Sequence, residues 1–285
     1  MELTHNYILK IIYIIKMKVA ICISGQLRSW EECYQSWIKL FDNIKNHPNF
    51  INKEIEFDYF FHIWDFNTIP EFQWREKYKK LNTVKKATPV SNEEIQKIIN
   101  IFKPKKFLIQ NQDVSFSREK IIDDIATELT VDKIPIKSHI SWTTSQLYSI
   151  MRCAFLKREF EVENNFEYDV CVRMRFDLLF DDNNIMLLTE DFVKPIKERT
   201  IYACHCHNID HFPHNAVGDI FYYSDSQTYD VLTQLYDFLP YIDPNIFPPS
   251  AQVEDIFGYY VRMFLLDNYR LNIDPKVNRL KLKVI

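Results

Sequence analysis

Val19, Ala20, Ile21, Cys22 and Ile23 make an unbroken apolar run, the pattern of a parallel strand buried on both faces. Ser24-Gly25-Gln26-Leu27-Arg28 then reads as a turn, and Ser29 with Glu32 predicts a capping box. Trp30, Cys33, Trp37, Leu40, Phe41 and Ile44 follow at helical spacing. A second strand is predicted from Phe57 to Trp64. Ser91 with Glu94 caps a helix through Phe102, and Lys106 to Ile109 reads as a third strand. Thr143 with Gln146 predicts the start of a long helix over Ser145 to Val162, with Leu147, Ile150, Met151, Ala154 and Phe155 as its buried stripe. Tyr168 to Met174 is the fourth strand. This β-α-β-α-β order predicts an α/β fold: a Rossmann-type, mostly parallel central sheet with helices on both faces.

The second half changes character. Ile201 to His205 and Ala216 to Tyr223 read as strands, and helices are expected over Ser226 to Leu239 and Ser250 to Asp267. The proline-containing stretch from Pro240 to Pro249 separates those helices. Asn67 to Val90 fits no regular element and reads as a functional loop. No repeat and no low-complexity linker divides the chain, so residues 17–285 are expected to form a single domain. Residues 1–16 read as a dispensable extension: the apolar stretch from Tyr7 to Ile15 contains Lys10, is too short to span a bilayer and lacks a small-residue cleavage site. A helix lying on a membrane surface is the alternative reading of that stretch.

Charge and composition narrow the function. A net charge of −4 argues against a polybasic nucleic-acid binder. With only 3 glycines in 285 residues, Gly25, Gly218 and Gly258 stand where backbone geometry needs them. None of the six cysteines forms a Cys-x-x-Cys pair, which fits reduced thiols in a cytoplasmic compartment, the host's if the source is viral. His205, His207, His211 and His214 cluster with Cys204 and Cys206, but their spacing matches no zinc motif.

In open α/β sheets, ligands bind at the carboxyl ends of the strands. After the first strand stand Ser24, Gly25, Gln26 and Arg28, where glycine allows close backbone approach and arginine can pair with a phosphate. The turn is not a Gly-x-Gly-x-x-Gly loop, which argues against a dinucleotide dehydrogenase. The second strand ends at Trp64 and Asp65; the aspartate can accept from a base or ribose, or be an ordinary loop residue. The fourth strand carries the strongest signal. Arg173, Arg175 and Asp177 alternate at period two and so share one face. Such charges in an apolar stretch are costly unless paired or used, so they read either as a site or as a buried staple. Glu254 and Asp255 open the last long helix, where acids suit the helix dipole or serve as a general base.

Taken together, these segments resemble a family. Lys18 to Arg28, ending Ser-Gly-Gln-Leu-Arg, resembles the opening of small glycosyltransferase-like proteins of large DNA viruses, phages and bacterial surface-polysaccharide clusters. Tyr168 to Asp177 resembles their Tyr-Asp…Arg-x-Arg-x-Asp segment. Gly218-Asp219 with Phe221 and Ser224, and then Glu254-Asp255, resemble later segments, so the match runs in order from Met17 to Tyr260. The resemblance implies a GT-A-like fold, a nucleoside diphosphate sugar as donor and a glycan acceptor. With such a donor and acceptor, Ser24, Gly25, Gln26, Arg28, Asp65, Arg173, Arg175 and Asp177 are expected on the donor and Gly218 and Asp219 on the acceptor, and the resemblance puts Glu254 or Asp255 at the catalytic base. Typical members hold Mn²⁺ or Mg²⁺ with Asp-x-Asp after the fourth strand. Here the triplet is Arg175-Phe176-Asp177, so Asp177 alone carries over as a metal ligand. A guanidinium can neutralise a diphosphate in a metal's place, and a single carboxylate can still hold a metal through water and phosphate oxygens. A nucleotidyltransferase, or a non-catalytic carbohydrate- or nucleotide-binding protein on the same fold, are the rival functions.

Overall fold

A computed structural model describes residues 15–50, 53–67, 88–111, 136–204, 217–241, 253–264, 266–271, 273 and 276–277. The apolar run becomes the centre of strand β1 (Ile15–Gly25). It pairs in parallel with β2 (Lys53–Trp64), Ile21 opposite Tyr59, and with β6 (Val170–Met174), Cys22 opposite Arg173. On the far side of β2 lies β5 (Lys106–Gln110), also parallel. On the far side of β6 comes β9 (Phe221–Ser224), antiparallel to β6 and to β8 (Thr200–Ala203), which in turn pairs in parallel with β10 (Asp267–Arg270). The main sheet therefore runs β10-β8-β9-β6-β1-β2-β5, with β9 as its reversed strand. Two small antiparallel pairs flank it: β3 (Phe66–Asn67) with β4 (Thr88–Pro89), and β7 (Leu178–Leu179) with β11 (Lys276–Val277).

Alternation along the strands sends side chains into two separate cores. Val19, Ile21 and Ile23 face helix α1 (Trp30–Lys45) and helix α2 (Asn92–Phe102); Ala20 and Cys22 face the long helix α3 (Ile136–Asn164). The predicted stripe of α1 is buried throughout, from Trp30 to Ile44. Each large apolar side chain so buried contributes roughly 1.5–3 kcal/mol. α2 begins as expected, with Ser91 Oγ accepting from Glu94 N at 3.1 Å. It ends at Lys103 in the left-handed conformation, directly before Pro104, which does not favour a continuing helix. Helix α4 (Asp182–Phe192) joins the first core. Helices α5 (Ser226–Thr233), α6 (Leu235–Phe238) and α7 (Val253–Met263) join the second. A buried cation ties α3 to α5: Lys157 Nζ lies 2.9 Å from Glu161, 2.9 Å from Asp230 and 2.5 Å from Ser226 Oγ. Cys22, Cys33, Cys153, Cys171 and Cys204 are buried. Among the described residues, no helix is long and apolar enough to cross a membrane.

The mixed α/β architecture with a mostly parallel sheet matches expectation; several boundaries do not. β1 starts at Ile15, so Ile15 and Lys16 pair with Lys53 and Glu54, and residues 1–14 lie outside the described residues. Ser29 makes no side-chain cap, because its backbone is not extended (ψ 28°) as a capping residue requires. α3 begins at Ile136 and runs through Thr143; one hydroxyl residue inside a helix costs only about 0.7 kcal/mol or less. The strand expected from Ala216 starts only at Phe221, since Val217 N instead donates to Glu254 O at 3.1 Å. The helix expected over Ser226 to Leu239 breaks at Gln234, and the last helix ends at Met263 because Asp267 enters the sheet. The histidine cluster from His205 to His214, and residues 68–87 of the expected functional loop, lie outside the described residues.

Gly218 illustrates why so few glycines suffice. A Cβ there would run into the carbonyl oxygen of Cys204 and come within 2.8 Å of its Sγ. Backbone cannot yield as a side chain can, so Gly218→Ala should destabilise the fold by about 1–3 kcal/mol in a denaturant titration. A wild-type midpoint in that variant would show that the Cys204 segment moves freely.

Candidate functional site

The chain leaves β1 toward β2 and β5 on one side and returns through α3 to β6 on the other. The point where strand order reverses therefore lies between β1 and β6, and the crevice beyond their carboxyl ends is where open α/β sheets take ligands. Two turns meet there. After β1, Gly25 has φ +127°, a region that favours glycine, and no described residue beyond its chain neighbours comes within 4 Å of the Cβ position. Arg28 also takes a positive φ of 46°; its backbone N donates to Asn67 Oδ1 at 2.8 Å and its Nε to Gln26 Oε1 at 3.1 Å. After β6, Arg175 grips Asp177 with two parallel bonds, Nε to Oδ1 and Nη2 to Oδ2, both 2.8 Å. Arg28 Nη1 reaches across from the other turn to the same Oδ2 at 2.9 Å. The ion pair Arg28–Asp177 thus closes the switch point itself.

Burial sets the electrostatics. The Asp177 side chain is 2% exposed, against 18% for Arg175 and 19% for Arg28. Burial pushes the Asp177 carboxyl up, but the charges of Arg175 and then Arg28 outweigh it and hold it down at about 2. Arg175 is raised above its ordinary value: burial lowers it, while Asp177, Asp219 and Glu254 more than compensate. Asp219, buried after the Val217 turn, accepts from the Gln146 amide of α3, and burial raises its carboxyl despite the nearby charges of Arg175 and Arg173. Among the described residues, Ser24 Oγ and Arg173 Nε are two of the buried donors on the α3 face of the sheet that have no partner. Arg173 otherwise donates to the Met174 carbonyl. Arg28 also borders an open cleft of about 350 Å³ between the starts of α1 and α2, whose lining is mostly acidic: Glu31, Glu32, Glu93 and Glu94 against Lys97.

Most of the expected site residues thus gather in one place. Gln26, Arg28, Arg175 and Asp177 are in direct contact, Ser24 and Arg173 sit at the same strand ends, and Asp219 and Glu254 lie within electrostatic reach of Arg175. Glu254 stands second in α7; the side chain of Asp255 lies outside the described residues. Gly218 has a packing reason of its own beside Asp219. Asp65 is bound elsewhere, its Oδ2 accepting from Asn111 at 2.9 Å and its backbone joined to Gln110 and Val90 on the β5 side. Sequence reasoning missed Gln146, which it spent on a helix cap. The signal was its position four residues before Ile150, on the flank of the buried stripe. It also missed a polar knot at the end of β2: His62 Nε2 donates to Gln110 Oε1 at 2.8 Å, and Nδ1 accepts from Ser149 Oγ at 2.7 Å. Burial lowers the His62 pKa to about 4, so the imidazole is neutral at physiological pH.

As placed, these donors do not suit the divalent cation that the resemblance implies. Among the described residues, no three His, Cys, Asp or Glu side chains converge as a metal site would need. Both oxygens of Asp177 already accept from guanidinium groups, so a metal would have to displace an arginine to take that carboxylate.

No family model matches the chain, and no curated protein matches it. Among solved structures, it is similar to mouse xyloside xylosyltransferase 1 in its apo form, with 8% sequence identity and a TM-score of 0.31 over 90% of this chain and 85% of that one.

Proposed function

We propose that this chain transfers a sugar from a nucleoside diphosphate donor to a hydroxyl of a glycan. The observation that carries the reading is the Arg28–Asp177–Arg175 junction at the switch point between β1 and β6, with Glu254 beside it. In the reaction the anomeric carbon's bond to the β-phosphate oxygen breaks, and its electron pair leaves with the nucleoside diphosphate. The acceptor oxygen bonds to that carbon, and its proton passes to the Glu254 carboxylate. Arg175 and Arg28 stabilise the charge that grows on the leaving diphosphate. Asp219, fixed by Gln146, contacts acceptor hydroxyls.

The test is release of nucleoside diphosphate from a panel of uridine, guanosine, adenosine, cytidine and thymidine diphosphate sugars. One donor is expected to turn over, faster when a glycan acceptor is added. Binding of a nucleoside diphosphate without turnover of any donor would instead support a carbohydrate- or nucleotide-binding protein. Release of pyrophosphate from a nucleoside triphosphate would support a nucleotidyltransferase.

A further inference from the structure

Resting on that reading, we infer that the chain holds the donor diphosphate through Arg28 and Arg175 without a divalent cation, and that Asp177 is the positioning residue that aims both guanidinium groups. A metal-binding carboxylate has to present an oxygen to the cation. Here Oδ1 accepts from Arg175 Nε, and Oδ2 accepts from Arg175 Nη2 and Arg28 Nη1, all within 2.9 Å. A dication on either oxygen would sit against two positive charges at close range, which is repulsive.

The charge inventory points the same way. Arg28, Arg173 and Arg175 stand with Asp177, Asp219 and Glu254, three charges against three. With the Asp177 oxygens already taken by guanidinium groups, the cluster offers a dication no open carboxylate there, while its arginines suit a diphosphate. Arg175 commits only Nε and Nη2 to Asp177, the fixed fork that carboxylates and phosphates share. Ser24 Oγ and Arg173 Nε add two buried donors on the same edge that lack a partner among the described residues. Unmet buried donors are destabilising, and an incoming phosphate oxygen would satisfy them. The open space over Gly25 lets a ligand approach the backbone between them.

The pattern also explains the Arg175-Phe176-Asp177 triplet. With an arginine in the first position, the second acid no longer serves a metal; it orients the arginines that replace it. Losing either arginine leaves Asp177 with one remaining partner, so those single variants keep a paired carboxylate.

The experiment is calorimetric titration of the full chain with uridine, guanosine, adenosine and cytidine diphosphates, each with EDTA and with excess Mn²⁺. At least one is expected to bind equally well in both conditions. Arg175→Ala and Arg28→Gln should each weaken that binding about tenfold or more, the loss of a charge-assisted contact. Arg175→Lys should fall between, since it keeps the charge but not the fork. In Asp177→Asn the affinity should drop with no Mn²⁺ dependence appearing. Binding that requires Mn²⁺, with the requirement lost in Asp177→Asn, would overturn the inference and leave the transferase reading standing. Metal-free binding that neither arginine variant weakens would overturn it too. If no nucleoside diphosphate binds under either condition, the inference and the transferase reading fall together.

Discussion

Replacing Asp177 by asparagine should destabilise the folded chain by roughly 2–5 kcal/mol at neutral pH. The side chain is 2% exposed and answers two guanidinium groups; the amide keeps the shape but removes the charge both of them need. The upper figure is the cost of breaking a buried pair, and the lower follows from the carboxyl's displacement. The arginines are each nearly a fifth exposed, so water softens the loss and the lower half of the range is the better expectation. The pH dependence has a definite sign. The folded pKa of about 2 lies below the unfolded value of about 3.9, so the stabilisation is complete above pH ~4 and is lost as pH falls toward 2. Denaturant titrations of wild type and Asp177→Asn at pH 7 and pH 3 should therefore differ most at pH 7, with the gap narrowing in acid. A gap that stays constant would mean that Asp177 carries no charge that matters to the fold.

That Asp177 pairs with an arginine was legible in the sequence; which arginines it touches was only half legible. Arg173, Arg175 and Asp177 could be placed together because period-two alternation is a local property of an extended chain. The pairing of Arg175 with Asp177 is likewise local, two residues apart. Arg28 joins from 149 residues away, and nothing in local periodicity reports a contact of that span. The same division holds for the fold. The burial of Trp30, Cys33 and Trp37 followed from spacing, and the Ser91 cap from its own side chain. The Ser29 cap failed because its backbone conformation is set by the positive-φ turn at Arg28, which residue type does not announce. The reversal of β9 was invisible for a related reason: Phe-Tyr-Tyr-Ser reads equally well in either direction, and its pairing with β6 and β8 decides the matter. Gln146 went unrecognised because a Thr-x-x-Gln pattern also describes a helix interior, where the residue's role depends on Asp219 across 73 positions.

Glu254→Gln should lower kcat by about 10²–10⁴-fold with little change in donor affinity, the usual contribution of a general base. The position favours the role. Glu254 lies in the first turn of α7, its carbonyl accepts from Val217 N two residues before Asp219, and its charge acts on Arg175, so it links the Asp219 turn to the arginine junction. The amide is nearly isosteric. It forfeits the favourable interaction of an acid with a helix N-terminus, about 0.3–1 kcal/mol, and its attraction to Arg175, so the variant should lose less stability than Asp177→Asn. That separates it from Asp177→Asn, whose loss of activity comes with a loss of stability. Asp255→Asn is the matched control in the same turn and should be the milder of the two. Near-normal turnover in both would move the base to Asp219, a buried carboxyl already raised above its ordinary value, and Asp219→Asn would then have to carry the kcat loss.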